Sequence, residues 1–157
     1  MPLYFAYGSN MLPEQMARRC PGARPLGRGS LPHWKYITTK RGTANIQPGK
    51  DHVVHGALWR CDFRHIASLN RYEGVRLRNY LPRFMKISTR TGRSYTALVY
   101  VSQRILYGIS RPDYMLNAVL PGAKSFDLPE YYLKELESWL PERRIGAAGR
   151  KYIGRKA

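Results

Sequence analysis

Apolar residues open the chain as one short run, Leu3-Tyr4-Phe5-Ala6-Tyr7, which breaks off at Gly8-Ser9-Asn10. A continuous apolar run ended by a glycine turn reads as a buried strand. A helix is predicted from about Pro13, because proline is tolerated in a first turn and Glu14 suits the positive end. It stops before Cys20-Pro21-Gly22. Residues 25–47 mix Gly and Pro with short apolar stretches such as Trp34-Lys35-Tyr36-Ile37, the pattern of strands and bends. Residues 53–61 read as a further strand, and Gly56 inside it marks a bulge or a close backbone approach. Asp62 is placed to cap a helix that reaches Tyr72 or Glu73, with Gly74 just past its end. Residues 80–89 and 94–102 form an antiparallel pair through Arg90-Thr91-Gly92-Arg93. Ser110-Arg111-Pro112-Asp113 resembles a capping box, and the helix it starts is expected to end near Leu120, ahead of Pro121-Gly122. Asp127-Leu128-Pro129-Glu130 starts another helix, with Tyr132, Leu133, Leu136, Trp139 and Leu140 on one side. These elements add up to one α+β domain on a sheet or small barrel over residues 1–141. A loosely held basic tail, 142–157, follows it.

Composition narrows the class. A chain of 157 residues, 43% hydrophobic and 12% aromatic, suits one globular core. No apolar stretch reaches the roughly 18 residues of a membrane span. Met1-Pro2-Leu3-Tyr4 lacks a basic segment followed by an apolar core, so a cytoplasmic location is expected. Cys20 and Cys61 show no CxxC spacing and are expected to be reduced and structural. The net charge of +17 changes the picture more. Such charge favours anionic partners, whether nucleic acid, an anionic membrane or an acidic small molecule. Its ordinary alternative is a solvated basic surface, since the basic residues are scattered and only mildly concentrated in the tail. No zinc-finger spacing, RNP1 stretch or aromatic interleaving accompanies the charge.

Two segments could carry chemistry. Gly8 permits backbone conformations closed to other residues, and Ser9 and Asn10 add short polar groups. A strand that ends in such a loop can leave backbone N–H groups for an anionic oxygen. Glu73 follows Ile66 by seven residues, which places it on the same helix face as the stripe Phe63, Ile66, Ala67 and Leu69. It also lies at the negative end of the helix dipole. Both effects are expected to raise its pKa above the usual ~4.3, toward what proton transfer near neutral pH requires. The ordinary alternative pairs it with Arg71, Arg76 or Arg78. Other chemistries lack their motifs: Gly8-Ser9-Asn10 is not a nucleophile elbow, and there is no P-loop or GxGxxG. His52-x-x-His55 has no matching ligand pair, so no metal site is expected.

Read in order, these segments resemble the γ-glutamylcyclotransferase family, with its γ-glutamylamine cyclotransferase and AIG2-like branches. Tyr4 through Asn10 looks like the family's N-terminal signature. Gly42-Thr43-Ala44-Asn45-Ile46 through Val53-Val54-His55-Gly56-Ala57-Leu58-Trp59 is similar to its central strands. Leu69-Asn70-Arg71-Tyr72-Glu73-Gly74-Val75 resembles the segment that bears its catalytic glutamate. Pro112-Asp113-Tyr114 and the stretch from Gly122 to Tyr132 resemble its C-terminal part. The resemblance implies a small mixed β-barrel with flanking helices. It also implies an enzyme that converts a γ-glutamyl compound into 5-oxoproline and a free amine, without cofactor or metal. Glu73 matches the acid/base. Tyr7, Gly8, Ser9, Asn10 and Met11 match the loop that holds the glutamyl end, and Tyr80 and Tyr114 match pocket tyrosines. A barrel that binds nucleic acid or anionic membrane through its basic surface is the competing reading.

Overall fold

The structure is a computed structural model and describes residues 2–104, 106–141, 143–146 and 149–152. Five strands close into a barrel: β1 (Leu3–Ala6), β2 (Arg24–Thr38), β3 (Ala44–Arg60), β4 (Leu81–Thr89) and β5 (Ser94–Val101), in the order β1-β3-β2-β4-β5. All pairings are antiparallel except the closing one, where Tyr4 lies opposite Leu98 on a parallel neighbour. Closure removes the exposed edges that an open sheet would present. The mixed barrel with flanking helices is the expected architecture.

Local signals placed most elements. Helix α1 (Pro13–Arg19) begins on its proline and holds Glu14 in the first turn. Helix α2 (Phe63–Tyr72) is capped by Asp62, whose carboxylate accepts the His65 backbone N–H. The His65 ring accepts the Asp62 N–H at 3.0 Å in return, which completes a capping box. Gly74 takes the left-handed conformation just beyond the helix, at φ 62° and ψ 42°. Gly56 lies opposite Gly29, and an added Cβ would sit 2.3 Å from the Ala6 carbonyl oxygen, the close approach its position in the strand suggested.

Four local expectations are corrected. The strand expected over residues 53–61 begins at Ala44 and runs through Pro48-Gly49; Pro48 pairs with Trp34 beside the register shift at Pro32/Trp34, where a missing N–H is tolerated. The buried face of α2 is His65 and Leu69, not a stripe with Phe63, which is 86% exposed. The Ser110 capping box does not form: the N-cap is Arg111, with no side-chain bond. The helix that starts there also continues past Leu120. It runs as α3 (Pro112–Tyr114), a π-helical turn (Met115–Val119) and α4 (Leu120–Ser125). The wider π turn precedes Pro121, whose missing N–H would otherwise break an α-helical bond. Gly122 lets this helix press on the chain at Met11-Leu12, where an added Cβ would meet backbone atoms at 2.6 Å.

Helix α5 (Glu130–Glu137) buries Tyr132, Leu133 and Leu136 as its pattern indicated. In the expected tail, β6 (Arg143–Gly146) and β7 (Gly149–Tyr152) pair as a separate two-stranded sheet. Residues 142, 147, 148 and 153–157 of that tail lie outside the described residues. Cys20 and Cys61 are buried free thiols, and burial pushes them up to about 11 and about 12. Among the described residues, no helix is long and apolar enough to cross a membrane.

Candidate active site

One rim of the barrel gathers the end of β1, the start of β3, the approach to β4, the end of β5 and helix α3. Between them lies a pocket of about 280 Å³, lined by Tyr7, Gly8, Ser9, Asn10, Thr43, Ala44, Glu73, Tyr80, Tyr100 and Tyr114, among others. The sequence placed seven of its eight candidate residues on this wall: Tyr7, Gly8, Ser9, Asn10, Glu73, Tyr80 and Tyr114. The eighth, Met11, is fully buried in the hydrophobic core and does not line the pocket. Its N–H is bonded to the Gly8 carbonyl at 3.2 Å, as the loop turns through a 3₁₀ segment (Ser9–Met11).

The glycine loop is held from three sides. A Cβ at Gly8 would lie 2.7 Å from the Tyr114 hydroxyl and 3.1 Å from the Ala44 Cβ, so the loop approaches both elements as closely as glycine allows. The Tyr114 hydroxyl oxygen accepts the Ser9 and Ala44 N–H groups, each at 3.3 Å. From α1, Gln15 donates Nε2–H to Ser9 Oγ at 2.6 Å and to Asn10 Oδ1 at 3.0 Å. One turn later, Arg19 donates to the same Asn10 Oδ1 at 3.0 Å while its guanidinium stacks 4.3 Å from the Tyr72 ring centre. Asn10 Nδ2–H in turn donates to the Tyr4 hydroxyl at 3.0 Å. Gln15 and Arg19 also line the pocket, and neither was picked out in the sequence. The available signal was their i, i+4 spacing on the helix that follows the loop directly.

Glu73 is the C-cap of α2, one i+4 step beyond buried Leu69. Its backbone N–H donates to the Leu69 carbonyl at 2.8 Å, and its own carbonyl accepts the Tyr80 N–H at 3.1 Å. That second bond closes the intervening loop and brings the Glu73 and Tyr80 side chains to one wall. Tyr80 is fixed by donating to the Ala44 carbonyl at 2.6 Å, with Thr43 Oγ1 3.2 Å away. Tyr7 donates to the Tyr100 carbonyl at 2.5 Å.

Two effects compete at the Glu73 carboxyl. Burial among tyrosine rings disfavours the charged form, and the Arg19 guanidinium favours it. Burial wins and pushes the carboxyl up to about 7. The expected competition from Arg71, Arg76 or Arg78 does not arise: none forms an ion pair with Glu73 among the described residues. Burial also raises the Tyr80 and Tyr114 hydroxyls, so both stay protonated donors at neutral pH. The pocket therefore combines a carboxyl able to take and return a proton near pH 7 with fixed phenols and a polar loop.

The histidines lie elsewhere. His55 Nε2 pairs with the Tyr131 hydroxyl at 2.6 Å, far along β3 from the pocket wall. Among the described residues, no group of three or more side chains could hold a metal ion.

Comparison with known proteins gives a consistent result. The family model described as AIG2-like family matches residues 53–136. The chain is 31% identical to a gamma-glutamylcyclotransferase of Bos taurus, over 88% of this chain and 79% of that protein. It is 30% identical to a gamma-glutamylcyclotransferase of Mus musculus, over 92% of this chain and 81% of that protein. A solved structure titled gamma-glutamyl cyclotransferase superposes with a TM-score of 0.81 at 27% identity, covering 92% of this chain and 91% of that one.

Proposed function

Because this chain belongs to the AIG2-like family, we propose that it works as a γ-glutamylcyclotransferase in the pocket described above, with Glu73 as acid and base. It is an enzyme that releases 5-oxoproline and a free amine or amino acid from a γ-glutamyl compound. The observation that carries the site assignment is Glu73, a partly buried carboxyl on the pocket wall with its pKa near 7.

The reaction is an intramolecular acyl transfer. The substrate's α-amine nitrogen attacks its own γ-carbonyl carbon, and the new C–N bond closes a five-membered ring. The C–N bond to the leaving amine then breaks. Both reacting groups belong to one molecule, so the protein's first task is to fold the substrate into an attack geometry. The Ser9-Asn10 turn, clamped by Gln15 and Arg19, offers polar groups on a rigid support for the glutamyl end. Tyr114 accepts two N–H groups, which leaves its own proton for a substrate oxygen.

Glu73 in its ionised form takes the proton that the α-amine must lose. It returns that proton to the departing nitrogen, so the carboxylate is regenerated. A carboxyl near pH 7 does both steps with little mismatch, and such a shuttle contributes roughly 10²–10⁴-fold. No charge is left over in the cycle. A purely nucleic-acid or membrane-binding barrel is not favoured, because it gives no account of a proton-transfer group on the wall of a small polar pocket.

The test is 5-oxoproline release from a panel of γ-glutamyl dipeptides and γ-glutamyl amines. Release by the wild type and its near-complete loss in Glu73→Gln, with the fold intact, is the expected outcome. Wild-type turnover in Glu73→Gln would remove Glu73 from the mechanism.

A further inference from the structure

Across Tyr80 and Thr43 from the active pocket lies a second cleft of about 300 Å³. Both residues line the two spaces and are hydrogen-bonded to each other, so the second cleft lies on the far side of a wall one side chain thick. Three cations surround the second cleft: Lys40, Arg41 and Arg104. Their stems, with Tyr80 and Leu106, make its wall largely apolar, while their charged ends stay exposed. Among the described residues, none of the three lies within ion-pair distance of a carboxylate.

The charges sit on backbone that the fold holds still. Lys40 and Arg41 occupy the β2–β3 turn, closed by Thr39 N–H to the Thr43 carbonyl at 2.8 Å and Gly42 N–H to the Thr39 carbonyl at 2.9 Å. Arg111 N–H donates to the Gly42 carbonyl at 3.1 Å, and Gly108 N–H to the Thr38 carbonyl at 2.9 Å, so the turn is tied to the next segment as well. Arg104 is placed by Asn45, which is fully buried. Asn45 Nδ2–H donates to the Ser102 and Arg104 carbonyls at 3.0 and 3.3 Å, and its Oδ1 accepts the Ser102 N–H at 2.9 Å.

We propose that this cleft holds the leaving-amine part of the substrate, and that Lys40, Arg41 and Arg104 select leaving groups that carry an additional anionic group, such as acidic amino acids. The proposal rests on the cyclotransferase reading of the adjoining pocket. Among the described residues, Glu73 is the one acidic side chain on either wall, and it is the proton carrier. An anionic leaving group therefore meets three cations and little repulsion. An apolar wall with charged ends also suits a short aliphatic side chain that ends in a carboxylate.

The experiment compares kcat/KM for γ-glutamyl-glutamate and γ-glutamyl-glutamine, which have the same shape and differ by one charge. Each exposed cation is worth roughly two- to fivefold on a carboxylate, so the three together predict a preference of about tenfold or more for the acidic substrate at low salt. The preference should lie mainly in KM and shrink as salt screens the charges. In the double variant Lys40→Gln/Arg104→Gln the ratio should fall most of the way to one. A wild-type ratio near one, or a ratio that survives the double variant, overturns the subsite while the cyclotransferase assignment stands. Absence of 5-oxoproline from both substrates and from the wider panel overturns both.

Discussion

Glu73→Gln should make the protein more stable as it makes it inactive, and chiefly on the alkaline side. The carboxyl moves from an ordinary 4.5 to about 7 because the pocket disfavours its charged form. A raised carboxyl contributes its full stability below the unfolded value, and that stability is lost as pH rises through the folded value. Above about pH 8 the ionised group therefore costs the folded state up to about 3 kcal/mol relative to a neutral one, and near pH 5 only about 1. Glutamine has the same shape and never ionises. The group is partly exposed, so solvent screening makes these figures ceilings, and a change of about 2 kcal/mol between the two pH values is expected. For a chain of this size, that corresponds to a Tm difference between variant and wild type that grows by about 4–8 °C. Thermal or urea unfolding of both proteins near pH 5 and about pH 8.5 reads it directly. A difference that stays flat with pH would mean that the carboxyl titrates like a solvated one, and the argument for a poised base would collapse.

The remaining predictions address the support around that group. With Glu73 as the base, kcat/KM should rise with pH through about 7, measured by 5-oxoproline release at fixed ionic strength. Arg19→Leu removes the charge that holds the Glu73 pKa down, so the rising limb should move to higher pH; KM should also rise, up to about tenfold, through the lost bond to Asn10. A limb that moves to lower pH would contradict the assigned role of Arg19. Gly8→Ala places a methyl 2.7 Å from the Tyr114 hydroxyl, which should displace the loop, cost about 1–3 kcal/mol in unfolding experiments and raise KM. Tyr114→Phe strips the shared acceptor from two backbone N–H groups, with about 1–3 kcal/mol lost and weaker substrate binding; an unchanged KM would remove Tyr114 from substrate recognition.

What the sequence determined by itself was local. Caps, turns and apolar runs act over a few residues, so β1, α1, α2 with its Gly74 stop, and the β4–β5 hairpin could be read directly. The elevated Glu73 pKa was also foreseeable in direction, because helix phase turns that residue inward. The face was read one stripe off, since His65 serves as a cap partner and buries where Phe63 does not. Helix α3 to α4 passed through Pro121 because a π turn absorbs the missing bond and Gly122 packs against Met11-Leu12. That contact, made across the fold, also drew Met11 into the core and out of the pocket. Gln15 and Arg19 join the site for a comparable reason: the loop they clamp turns back over their own helix. Barrel closure decided the rest. With α3 docked on the rim, it brings residues as distant as Ser9 and Tyr114, or Asn45 and Arg104, within hydrogen-bond reach. Desolvation of Glu73, which sets its chemistry, exists only once those segments meet, because burial is a property of the assembled pocket and not of any stretch of chain.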